Sequence, residues 1–204
     1  MPIPIPIHGF RGDTAMCGTA FLVAKCKATW LVTCAHNISK VDDTPPDPAY
    51  FEGGRISVVG TAISIPMFDE DGKRFSVVIN EQYGSLVDAM TVKLKPAEAN
   101  ELVSYGAYSL DKIVSPAQGE IVTTHGFPGM KSTLIDARSF NAEIVTVAGV
   151  NFKVSKPSEK GYSGGPVISL SGLIGIATGD VGDQGAMTNG LAVRLDMVKV
   201  SLFQ

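Results

Sequence analysis

A serine framed by glycines stands out in Lys160-Gly161-Tyr162-Ser163-Gly164-Gly165-Pro166. A hydroxyl attacks a carbonyl only when a neighbouring base takes its proton, and the oxyanion that forms needs backbone N–H donors aimed at it. Glycines beside the serine allow the backbone bend that exposes such donors. Alone, the string also fits a Gly-rich turn ahead of a strand. A candidate base ends the stretch Trp30-Leu31-Val32-Thr33-Cys34-Ala35-His36, where a lone histidine could equally be a core residue bonded to a carbonyl. The third group is Asp88, in Leu86-Val87-Asp88-Ala89-Met90. An acid heading an apolar strand is often a cap or turn residue, but it can also fix a histidine tautomer and stabilise the imidazolium. Asp88 follows His36 by 52 residues, and Ser163 follows Asp88 by 75.

Short apolar runs rich in Val, Ile and Thr must position these groups. Gly, Pro, Asp and Asn separate the runs, which is the pattern of an all-β chain. Strands are expected over 19–25, 29–33, 55–65, 75–80, 88–94, 119–126, 140–148, 151–154, 167–170, 173–178 and 190–194. Asp69-Glu70-Asp71-Gly72 and Ser171-Gly172 read as hairpin turns. Residues 39–54, with Pro45, Pro46 and Pro48, read as a loop. Helical signal is confined to a turn after His36, to 96–103 behind a first-turn proline, and to 195–203. These elements predict one domain over 1–204: a first β half over 12–95, a crossover over 96–108, a second half over 109–194 and a closing helix over 195–204. Two strand sets that close their own edges suggest paired barrels.

Composition excludes other classes. Of 204 residues, 45% are hydrophobic and 18% charged, enough apolar material for a core. A net charge of -3 from 17 basic and 20 acidic residues makes no basic stripe, so no nucleic-acid partner is expected. No run nears the roughly 18 apolar residues of a membrane span, so no membrane partner is expected either. Pro2, Pro4 and Pro6 interrupt the N-terminus, which does not read as a signal peptide. Cys17, Cys26 and Cys34 are odd in number and read as reduced thiols, with a Cys26–Cys34 bridge as the alternative. A cytoplasmic, reducing location is the expectation.

Gly18-Thr19-Ala20-Phe21-Leu22-Val23, Val32-Thr33-Cys34-Ala35-His36, Asp88-Ala89-Met90 and Gly161-Tyr162-Ser163-Gly164-Gly165-Pro166 together resemble the trypsin/chymotrypsin superfamily. Thr124-His125-Gly126-Phe127-Pro128-Gly129, Gly190-Leu191-Ala192-Val193 and Asp196-Met197-Val198 look most like its HtrA-type and related bacterial or viral branches, without a PDZ-like module. The resemblance spans residues 17–199. It implies a chymotrypsin-like double barrel, with two packed barrels of the six-stranded type, and a serine endopeptidase acting on polypeptides without cofactor or metal. It assigns Ser163 as nucleophile, His36 as general base and acid, Asp88 as its orienter, and the N–H groups of Gly161 and Ser163 as the oxyanion hole. Thr178, Gly179 and Asp180 resemble the segment that pairs with substrate backbone. Pro157 resembles the base of the specificity pocket, where the lack of an acid argues against an Arg or Lys preference. Gly190 and Ala192 would leave room for a small or medium apolar side chain, though Asp180 and Asp183 are acids close by in sequence. Tyr162 stands where digestive members keep an aspartate for a newly cut N-terminus, so cleavage-dependent activation is not expected.

The same residues admit other readings. Gly161-Tyr162-Ser163-Gly164-Gly165 fits the elbow of α/β-hydrolases, but there the histidine follows the serine; His8, His36 and His125 all precede it. The spacing of Cys17, Cys26, Cys34 and His36 contains no Cys-x-x-Cys pair and does not resemble a structural zinc site. His125 sits in a turn-like setting suited to a strand end. A catalytically silent double barrel that binds peptides remains the rival, and oligomeric state is not readable.

Overall fold

The computed structural model describes residues 1–11, 14–38, 51–80, 84–129, 136–182 and 187–204. The first half contains β1 (Ile5–Arg11), β2 (Thr14–Lys25), β3 (Ala28–Thr33), β4 (Arg55–Val58), β5 (Ser64–Pro66), β6 (Phe68–Asp69), β7 (Gly72–Lys73), β8 (Phe75–Asn80) and β9 (Ser85–Lys93). Helix α1 (Pro96–Glu101) and β10 (Tyr108–Ser109) lead to the second half. That half contains β11 (Ile121–Gly126), β12 (Arg138–Ala148), β13 (Asn151–Val154), β14 (Pro166–Ser169), β15 (Gly172–Val181) and β16 (Asn189–Arg194), followed by α2 (Leu195–Leu202).

The second half closes into a six-stranded barrel, β11-β12-β13-β16-β15-β14. The first half, also expected to close, is instead an open path among the described residues: β5-β4-β1-β2-β3-β9-β8, with β10 alongside β2. It begins earlier than residue 12, because β1 lies between β2 and β4. The alternation of Pro2, Pro4 and Pro6 with Ile3, Ile5 and Ile7 is the period of a strand. Pro6 is tolerated because the β1–β4 ladder starts only at Ile7, so its absent N–H forfeits no bond there.

The run expected as one strand over 55–65 is a hairpin. Gly60, at φ +79°, turns the chain, and Val58 N–H donates to Ile63 O at 3.0 Å. The loop expected over 39–54 lies outside the described residues except for its last four. The turn at 69–72 forms as expected between β6 and β7, and both expected helices are present. Pro96 opens α1, and the Glu98 carboxylate accepts from Lys95 N–H at 2.8 Å. None of the described helices is long and apolar enough to cross a membrane.

Three apolar clusters hold the halves. Ile5, Ile7, Leu22, Leu31, Ile56 and Met90 fill the first, while Val122, Ile144, Phe152, Val154 and Ile174 fill the barrel. Between them, Phe21, Val23, Val32, Val87 and Ala89 of the first sheet meet Leu173, Ile176 and Val193, with Leu195, Val198 and Leu202 of α2 beside them. Strands β2, β3 and β9 therefore bury both faces, which is why they read as apolar runs rather than alternations. Phe21 is fully buried and meets Tyr108 edge-on, with centroids 5.7 Å apart. Phe21→Ala is expected to cost about 3–5 kcal/mol, read as a lowered calorimetric Tm; a loss below about 1 kcal/mol would show that this middle cluster is not what joins the halves.

Candidate active site

His36 lies on a short 3-10 turn, Ala35–Asn37, directly after β3. Asp88 grips it twice. One carboxylate oxygen accepts the His36 backbone N–H at 3.0 Å, and the other lies 2.6 Å from Nδ1. The aspartate is aimed by an irregularity in the sheet. Strand β8 passes directly from Val78 to Val77, while β9 inserts Asp88 and Ala89 between their partners Val87 and Met90. Such a bulge re-aims side chains. Burial pushes the His36 pKa down, but the Asp88 hydrogen bond and charge outweigh it, leaving a net rise above 6.5. With Nδ1 committed to the carboxylate, Nε2 is the ring nitrogen left for proton transfer.

Ser163 sits on the turn between β13 and β14, and the glycines around it have no room for side chains. Gly161 (φ +107°) and Gly164 (φ +88°) are in the region that favours glycine. A Cβ at Gly161 would lie 2.2 Å from the Phe127 carbonyl oxygen, and one at Gly165 would lie 2.0 Å from that of His125. Gly164 N–H donates to Ala177 O at 2.7 Å, and Ala177 N–H donates to Gly165 O at 2.9 Å. The Tyr162 ring is buried edge-on against Phe140, 5.2 Å between centroids, and fills the place a Gly126 side chain would need.

The first half of the chain holds this turn directly. Thr19 N–H and the Asn37 amide both donate to the Ser163 carbonyl, at 2.8 and 3.1 Å. The Thr19 hydroxyl donates to Gly161 O at 2.6 Å and accepts from Phe127 N–H at 3.2 Å. Thr33 donates to Thr19 O at 2.7 Å and accepts from Asn37 at 2.9 Å. Sequence reading gave no role to Thr19, Thr33 or Asn37. The signal was there: fully buried threonines in apolar strands must be spending their hydroxyls on something.

His36, Asn37, Gly161 and Ser163 line one cleft of about 610 Å³, together with Ala15, Met16 and Cys17. The Ser163 hydroxyl donates to Thr178 O at 3.5 Å, the outer limit of a hydrogen bond, rather than to His36. Among the described residues, no backbone acceptor meets the N–H of Gly161 or Ser163. The Lys160 carbonyl is engaged by Gly129 N–H at 3.1 Å; because a trans peptide points its N–H opposite its carbonyl, Gly161 N–H is directed away from Gly129.

The residues expected to bind substrate divide. Thr178 is beside the Ser163 hydroxyl, and Gly179 has open space where a Cβ would stand. The Asp180 carboxylate accepts from both Ser158 N–H (2.6 Å) and Ser158 Oγ (3.0 Å), next to exposed Pro157. Gly190 packs against the Lys156 carbonyl, 2.7 Å from where its Cβ would lie, and Ala192 is buried in the barrel core. Neither is on the cleft shared by His36 and Ser163. Asp183 lies outside the described residues. His125 lines a separate cavity with Ile121 and Leu170, and burial lowers its pKa.

No protein-family model and no curated protein matches the chain. Solved structures do. A thermostable serine protease from an extremophilic microorganism superposes with a TM-score of 0.62 at 12% identity, covering 98% of this chain and 95% of that one. The serine endoprotease from Yersinia pestis gives 0.60 at 13% identity, covering 98% of this chain. An HtrA-type protease with a tripeptide gives 0.56 at 15%, again over 98% of this chain. The chain has a trypsin-like double-barrel fold. It spans 61% of the Yersinia chain and 58% of the HtrA-type chain. Within this trypsin-like fold none of the three cysteines is disulfide-bonded: Cys26 is exposed at the β2–β3 turn, and Cys34 is wholly buried behind His36. Cys34, His36 and Asp88 also make the one group of three potential metal ligands among the described residues.

The Thr19 clamp is open to test. Thr19→Val keeps the shape but orphans a buried carbonyl and a buried N–H, at about 1–3 kcal/mol each. The urea midpoint is expected to fall with an unchanged m-value; an unmoved midpoint would mean the clamp contributes nothing.

Proposed function

We propose that this chain is a serine endopeptidase that hydrolyses peptide bonds through an acyl-enzyme on Ser163. The observation that carries the reading is the Asp88-oriented imidazole of His36 sharing a cleft with the glycine-framed hydroxyl. Ser163 Oγ attacks the substrate carbonyl while His36 Nε2 takes its proton, and Asp88 stabilises the imidazolium that results. The N–H groups of Gly161 and Ser163 receive the oxyanion. His36 then protonates the leaving amine, and a water that it deprotonates releases the acid product and restores the serine. The substrate is polypeptide, in keeping with the tripeptide held by one structural neighbour, and its acyl side runs along Thr178, Gly179 and Asp180 as an added strand. Before attack, the hydroxyl must rotate from Thr178 O towards His36, a tightening usual on substrate binding.

That same serine–threonine contact favours a second reading, a catalytically silent barrel that binds peptides. Fluorophosphonate labelling separates the two. Wild type is expected to label at Ser163 and Ser163→Ala not at all, with His36→Ala slowed by about 10⁴-fold or more; a wild type as inert as Ser163→Ala would favour the silent barrel.

The protonation of His36 gives the rate its pH dependence. Because the base must be neutral and its pKa is raised, the labelling rate is expected to climb with pH through a midpoint above 6.5. Asp88→Asn removes the charge that raises it, so the midpoint moves down while the rate drops by about 10⁴-fold. A flat profile between about pH 5 and 8 would exclude His36 as base.

A further inference from the structure

We propose that Cys34, His36 and Asp88 form a binding site for a thiophilic divalent cation of the Zn²⁺ type, and that its occupancy switches the cleft off. The switching rests on the reading just given; the binding does not. A thiol sulfur, an imidazole nitrogen and a carboxylate oxygen lie within 4.8 Å of one another. Zinc takes this donor set with bonds of about 2.0–2.3 Å, so ligand pairs around one tetrahedral ion stand roughly 3.3–3.8 Å apart. The side between His36 Nδ1 and Asp88, now 2.6 Å, has to open by about an ångström to reach that range.

The site has a way in, and binding breaks the 2.6 Å bond between His36 and Asp88. Cys34 is fully buried, but the His36 and Asp88 side chains are 28% and 25% exposed, so an ion arrives past the imidazole from solvent. The thiol gives up a weak bond of 3.1 Å to Ala177 O, and it also interacts with Asp88 and the Gly164 backbone. Burial and the negative charge of Asp88 hold it protonated while the site is empty. A dication between sulfur and carboxylate removes that repulsion and deprotonates the thiol outright.

The proton balance explains the switch. The ion displaces the proton between Nδ1 and Asp88, and that proton passes through solvent to Nε2, so the imidazole stays neutral as the other tautomer. The thiol proton leaves to solvent, and a water completes the coordination. An imidazole bound through Nδ1 and protonated on Nε2 has no lone pair for the Ser163 proton. Asp88, now a ligand, no longer orients it.

The test uses the full chain with Cys17→Ser and Cys26→Ser, so that Cys34 is its single thiol. Cd²⁺ serves as optical probe, through its ultraviolet thiolate-to-metal charge-transfer band, and Zn²⁺ as inhibitor of fluorophosphonate labelling. The expectation is a band that saturates at one equivalent, and labelling that Zn²⁺ suppresses and a chelator restores. Cys34→Ser keeps a hydroxyl for Ala177 O. It should abolish the band and raise the Zn²⁺ needed for inhibition by about 100-fold or more, since even groups one bond beyond a metal are worth ~10–100-fold. No one-equivalent band, or equal Zn²⁺ sensitivity with and without the Cys34 sulfur, would overturn the proposal. If the metal-free chain does not label at all, the peptidase reading fails by itself and the Cd²⁺ band alone decides the metal site.

Discussion

The carbonyl of Ser163 accepts hydrogen bonds from Thr19 and Asn37, and the geometry of the cleft depends on that grip. One end of the contact is a turn of the closed barrel; the other belongs to the open sheet. Asn37 is the neighbour of His36 in the same short turn, so the bond that fixes the serine backbone also fixes the distance to the imidazole. The apolar layer around Phe21, Val32 and Ile176 brings the two halves together without direction. The polar clamp supplies the direction, because hydrogen bonds tolerate little misalignment. Removing water from the clamp strengthens each bond and makes each orphaned partner costly.

The glycines around the serine fit this constraint. Main chain from three places crowds the turn: Phe127 O on Gly161, Thr19 O on Gly164 and His125 O on Gly165. Each approach is closer than a side chain permits, so the loop is shaped by its surroundings as much as by its own preferences. Tyr162 performs the complementary task, filling the space behind the loop with a ring against Phe140. In this chain, aromatic packing backs the serine turn.

Much of this was legible in the residues. The order and spacing of His36, Asp88 and Ser163 anticipated which groups the fold gathers, and Val/Ile/Thr runs broken by Gly and Pro anticipated an all-β chain. What stayed hidden depended on distant partners. The bulge that aims Asp88 arises from a mismatch between β8 and β9, which neither strand shows alone. Strand β1 was obscured because its prolines argue against a sheet interior until its ladder is known to start beyond them. Gly190 and Ala192 looked like pocket residues by resemblance, yet their side of β16 packs against Val154 and the barrel core. A small residue signals a close approach without saying what approaches.

The bond from Thr19 to Gly161 joins positions 142 residues apart, and that from Asn37 to Ser163 spans 126. Contacts of such sequence separation form late, after most of the chain's freedom has been surrendered. While the polypeptide is emerging from the ribosome, the imidazole is synthesised long before the hydroxyl it will face. A nascent chain therefore cannot assemble this cleft until Ser163 and the barrel strands that follow it, β14 to β16, have been made.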